Sequence, residues 1–177
     1  MKVIDAKGAT AAGAKPAAAA AKTPSSLCTE DESVIFACST GSKFVSVCEA
    51  KKATRTTGHL QYRFGKLDST EPLDLTLPEA YMPANKAATG EHMPFSGGAG
   101  AFLRFDKGAF SYVVYTGVGR WGPKGETREK AGVVVERSGK LVSSLKCKGE
   151  VQSELGPEWM EKRAIKLKPN DEFTFPD

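Results

Sequence analysis

Ser33-Val34-Ile35-Phe36-Ala37-Cys38-Ser39-Thr40-Gly41-Ser42-Lys43-Phe44-Val45-Ser46-Val47-Cys48-Glu49 decides the fold class. Two short runs of β-branched and aromatic residues flank a Gly-Ser turn, and that pattern encodes an antiparallel hairpin. The same pattern recurs along the chain. It predicts strands at 33–39, 44–49, 59–65, 73–77, 101–106, 109–115, 132–137 and 141–148. Alternation is clearest where Leu60, Tyr62 and Phe64 interleave with His59, Gln61 and Arg63, so one face of that strand should be buried and the other wet. Ser138-Gly139 and Lys107-Gly108 supply tight turns between neighbouring runs. One helix is expected from Pro157 to Arg163, because Gly156-Pro157 puts proline at the first helical position. The expected fold is mainly β, an antiparallel barrel or sandwich of about eight strands with one short C-terminal helix. No internal repeat is visible.

Upstream of this region, Lys7 to Lys22 is almost only Ala, Gly and Lys, a composition that cannot offset the entropy of ordering it. Residues 1–27 therefore read as a disordered leader and 28–177 as a single β domain. The leader also distorts the charge balance. It carries four lysines against Asp5, which leaves 21 basic and 20 acidic residues from Cys28 onward. A nearly neutral domain has no broad basic field for phosphates, so no nucleic acid is expected as a partner. With 40% hydrophobic residues and no window near the roughly 18 apolar residues a span requires, no transmembrane helix is expected.

The cysteines Cys28, Cys38, Cys48 and Cys147 match no zinc-ligand spacing, and only two histidines, His59 and His92, are present. No metal and no cofactor are expected. In the hairpin, a two-residue loop sets Cys38 opposite Val45 and Cys48 opposite Ile35, with the sulfurs on opposite faces. A three-residue loop leaves them diagonal at roughly 7 Å, too far for a disulfide. Cys147 shares a strand face with Leu141 and Leu145, and Cys38 with Val34 and Phe36, so both point inward. The favoured pairing is Cys38–Cys147 with Cys28–Cys48, in a periplasmic or secreted protein. The alternative is four buried free thiols in a reducing compartment.

Nothing in the chain forms a catalytic motif. There is no G-x-S-x-G elbow, the two histidines stand in no recognisable setting, and no acid sits in an apolar run that would raise its pKa. The chain is read as a binder, not an enzyme. Two segments carry that reading. Ser96, Gly97 and Gly98 open a glycine-rich run that lets the backbone approach another molecule closely. Between Thr116 and Ala131, glycines surround Arg120, Trp121 and Lys124, residue types favoured as anchors for protein partners. A competing reading folds Trp121 back onto the β wall.

Phe36-Ala37-Cys38, Ser96-Gly97-Gly98-Ala99 and Phe105-Asp106-Lys107-Gly108 together resemble motifs of the bacterial c-type lysozyme inhibitors, lipoprotein or periplasmic. Phe105 stands where that family has tryptophan. The resemblance implies a small β-barrel that inserts Ser96 and Lys107 into the acidic cleft of a muramidase. A nearly neutral domain is poorly steered to strongly basic host lysozymes. The expected function is therefore an inhibitor of, or an immunity protein against, a peptidoglycan-degrading enzyme or toxin. The alternative is a cell-envelope protein that holds glycan or peptide.

Overall fold

The computed structural model describes residues 25–177. Most of the expected leader, residues 1–24, lies outside the described residues. The described chain folds as two five-stranded antiparallel sheets. In chain order the strands are β1 Glu32–Ser39, β2 Phe44–Ala50, β3 Leu60–Gly65 and β4 Leu75–Leu77, then helix α1 Ala84–Ala87, β5 Thr89–Phe95, β6 Gly98–Lys107 and β7 Phe110–Gly119. They continue with β8 Arg128–Arg137, β9 Lys140–Lys146, β10 Lys148–Ser153 and helix α2 Pro157–Lys162. One sheet has the order β10-β1-β2-β3-β4 and the other β9-β8-β7-β6-β5. The sheets do not close on each other, so the fold is a sandwich and not a barrel.

The opening hairpin forms with Cys38 opposite Val45, as a two-residue loop requires, while a bulge after Val34 sets Cys48 opposite Val34 in place of Ile35. The inner faces supply one core, in which Phe36, Val45, Val47, Leu60 and Tyr62 meet Leu103, Phe105, Val114 and Val133. The end of that core is plugged by α2. Pro157 occupies its first turn, Met160 is buried, and Arg163 and Trp159 reach back to the buried Glu49 carboxylate at 2.6 and 3.2 Å.

Both expected disulfides are present. Cys38–Cys147 spans Cα atoms 5.6 Å apart and Cys28–Cys48 spans 5.4 Å. Cys147 stands between β9 and β10, where the chain leaves the edge of one sheet and joins the edge of the other. The single strand expected at 141–148 is thus two strands serving different sheets. Its bond to Cys38 joins that corner to β1.

Three further expectations are corrected. Thr89–Phe95 is a strand despite Gly90 and Pro94; it lies at a sheet edge, where a missing ladder donor is tolerated. The glycine-rich segments at 98–100 and 117–119 are strand ends, not loop. Gln61 and Arg63, expected to be wet, are only 4% and 6% exposed. They are covered because the chain just before β1 folds over the outer face of their sheet: the Leu27 N–H donates to Ser46 Oγ at 2.9 Å, and the Leu27 carbonyl accepts from Arg63 at 3.1 Å. Residues ahead of Cys28, from Ser25 onward, are thus packed with the domain.

Candidate functional site: one loop end of the sandwich

The hairpin β5–β6 turns at Ser96-Gly97, since Phe95 pairs with Gly98 and Gly97 has φ +87°, a conformation costly for any residue with a Cβ. The neighbouring β7 ends at Gly119, opposite Arg128 of β8, so the loop 120–127 leaves the sheet at the same end. The two segments touch. Arg120 lies across the turn, with its Cγ 2.9 Å from the position a Gly97 Cβ would take. Ser96, Gly97 and the Arg120 side chain are exposed there, and Gly98 is half-buried.

Trp121 folds back toward the sheet. Its indole packs on Phe95 at 5.7 Å and Phe175 at 5.3 Å between centroids, and the Lys130 ammonium stands 4.8 Å from the ring. The competing reading of Trp121 is therefore the correct one, and the ring serves as the base of the loop. Lys124 is exposed; its N–H donates to the Glu126 carboxylate at 2.5 Å. The N–H groups of Glu126 and Lys124, together with Arg128, hold the Glu126 carboxyl below its ordinary pKa. Glu126 is thus committed to shaping the loop. The end of the molecule presents Arg120 and Lys124, neither ion-paired to a described residue.

Lys107 is elsewhere. It closes β6 at the far end from Gly98, opposite Phe110, and makes a 3.4 Å contact with Glu79 in which both side chains are more than half exposed. Over the nine residue steps between the ends of β6, a strand covers roughly 30 Å. Ser96 and Lys107 cannot enter one pocket, which corrects the shared-cleft arrangement implied by the family resemblance. The structure lays Arg120 on the Ser96-Gly97 turn and Trp121 on the adjacent Phe95, with Lys124 exposed further along the same loop, and leaves Lys107 out.

Sequence reasoning missed a group on the opposite outer face. Glu32 accepts from both Arg63 terminal nitrogens at 2.7 and 2.8 Å, from the Thr29 N–H at 2.8 Å, and meets His59 Nε2 at 2.6 Å. Burial would raise its pKa, but these hydrogen bonds outweigh burial and hold it at about 2. His59 stacks on the exposed Tyr81 at 3.8 Å. The Cys28 and Cys48 sulfurs lie near this carboxylate but are bonded to each other. With Glu32 fully engaged as an anion, the cluster is an anchor for the chain entering β1. A legible signal was Glu32 three residues after Thr29, the spacing at which a carboxylate reaches back to a backbone N–H.

Compared with known proteins, the chain matches no family model, no curated protein and no solved structure.

Proposed function

We propose that the protein is a non-catalytic binder of the periplasm or another secreted compartment, which meets a protein partner through the Ser96-Gly97 turn and the Arg120 to Lys124 loop. The observation that carries this reading is the packing of Arg120 across Gly97, which makes one exposed, cationic surface from segments more than 20 residues apart in sequence. Two disulfides support a compartment where thiols oxidise. An exposed guanidinium laid across a turn suits an acidic cleft, because a charge-assisted contact gains strength once water is excluded. The partner class the motif resemblance suggests is a peptidoglycan-cleaving hydrolase or toxin. Arg120 replaces Lys107 as the cation that would face its carboxylates. The packing of Trp121 on Phe95 and Phe175 weighs against sugar stacking and so favours a protein partner over a glycan.

Titration against a set of lysozyme-like hydrolases and against soluble peptidoglycan fragments tests this. Arg120→Ala with Lys124→Ala should weaken hydrolase binding by about tenfold or more, roughly 1.4 kcal/mol. Binding to the fragments alone, unaffected by the double substitution, would overturn the proposal.

A further inference from the structure

On the side of the sandwich where α1 packs, a cleft of about 460 Å³ is lined by Arg55, Lys86, Lys166, Thr89 and the apolar walls Pro83 and Ala88. The backbone of each cation is held in place. The Arg55 carbonyl accepts from Asn85 Nδ2 at 3.0 Å, Lys86 lies in α1, and the Lys166 carbonyl accepts from the Gly90 N–H at 3.0 Å. No carboxylate lines the cleft, and none of the three cations forms an ion pair with a described residue. Glu91 and Glu161 belong to an adjoining depression that shares Arg55 and Lys166. The domain's charges otherwise nearly cancel, so three cations in a wall without a carboxylate give this cleft a local positive bias.

Thr89 contributes to the same wall, with its hydroxyl oxygen buried beneath the surface. We propose that this cleft binds a small molecule bearing a tetrahedral oxyanion, a phosphate or sulfate group. Arg55, Lys86 and Lys166 neutralise the group. A phosphate monoester offers three acceptor oxygens and close to two charges, and a sulfate ester the same oxygens with one charge, so several separate donors suit either group better than they suit a planar carboxylate. A cleft of this volume falls within the range of small-molecule sites and exceeds what a bare phosphate fills. The remainder of the ligand is the size of a sugar, set against Pro83 and Ala88. The proposal is independent of the partner-binding end.

Calorimetric titration of the full chain with inorganic phosphate, glucose 6-phosphate and glucose tests it, with sodium chloride at matched ionic strength as the blank. Phosphate should bind and glucose should not. Tighter binding of the sugar phosphate identifies the phosphorylated organic ligand, and equal binding identifies free phosphate. Lys86→Ala with Lys166→Ala, both exposed residues, should weaken binding by at least about tenfold without moving the melting temperature. Arg120→Ala should leave the titration unchanged. Unaltered affinity in the double lysine variant, or heats equal to the chloride blank, would overturn the proposal.

Discussion

Each sheet of the sandwich has an outer face, and each outer face is covered by one end of the described chain, by different means. Over β1-β2-β3 the cover is the segment 25–32, tied by the Cys28–Cys48 bond and by Glu32 and the Leu27 carbonyl on buried Arg63. Over β6-β7-β8 the cover is Asp171 to Asp177, with no covalent tie. There Phe173 and Phe175 lie on Phe102, Val113, Tyr115 and Val134, while Asp171 and Glu136 flank buried Arg104. Burial disfavours the Arg104 charge, but hydrogen bonds to the two carboxylates more than offset it, and its pKa is raised. Both ends use a buried arginine to fix a carboxylate. The polar face has few apolar contacts to hold its cover and uses a disulfide; the apolar face needs none, because aromatic burial supplies the attraction.

The comparison can be broken first at the disulfides. In the chain-entropy view, stabilisation grows with the loop that is closed. Cys38–Cys147, closing a separation of 109 residues, should contribute about 4 to 5 kcal/mol, and Cys28–Cys48, closing 20, about 3 kcal/mol. Replacing each pair by serines and measuring denaturant midpoints should reproduce that order. Loss of Cys28–Cys48 should also speed amide exchange around Leu27 while leaving Phe173 to Phe175 protected. Equal loosening of both covers would mean that they are one cooperative unit.

A sharper distinction comes from acid. Glu32 has a folded pKa of about 2 against an ordinary 4.5, so its contribution to stability is complete above about pH 4.5 and is lost as the pH falls toward 2. Discounting for solvent screening, that is on the order of 1 to 3 kcal/mol. Melting temperatures between pH 7 and 2.5 should fall along an acid limb that Glu32→Gln flattens. An identical limb in the variant would place the acid sensitivity elsewhere.

Much of the first cover was hidden from sequence reading, and the reason is physical. The Leu60 to Gly65 alternation correctly marks which residues face the core. Alternation alone does not say whether the other face meets water or another piece of chain, so Gln61 and Arg63 read as wet. The hairpin around Gly41-Ser42, the disulfide pairing and the Pro157 helix were legible because each depends on local spacing or on strand parity. Thr89–Phe95 was not, because an edge strand tolerates the Gly and Pro that normally end one. Of the site, the glycine turn and the Arg-Trp-Lys loop were legible as segments. Their meeting, and the separation of Lys107, depend on strand length and register, which composition does not carry.

The second cover had a signal of its own. Gly98 and Gly100 on β6, and Gly117 and Gly119 on β7, repeat at the two-residue period of a strand, which clears side chains from one face. Phe175 fills the cleared space: a Cβ on Gly100 would lie 2.2 Å from its ring and 2.9 Å from the Thr116 carbonyl. Gly100→Ala should therefore displace the tail at a cost of about 1 to 3 kcal/mol. Adding Phe175→Ala should cost less than the two substitutions separately, because both act through one contact. Additive losses would show that the Thr116 carbonyl, not the ring, sets the need for glycine.

The smallest effect is expected at Lys107. Its ion pair with Glu79 is 3.4 Å long and its two side chains are 53% and 77% exposed, so water and salt screen most of the attraction. Lys107→Ala should change stability by less than about 0.5 kcal/mol, which denaturant titration in low and high salt can check. The same variant separates the two ends of the sandwich functionally. Lys107 stands at the far end of β6 from the Ser96-Gly97 turn, so its removal should leave the affinity for a hydrolase partner unchanged where Arg120→Ala lowers it. If Lys107→Ala abolished binding while Arg120→Ala did not, the working surface would lie at the β6–β7 turn, and the convergence of Arg120 on Gly97 would be packing alone.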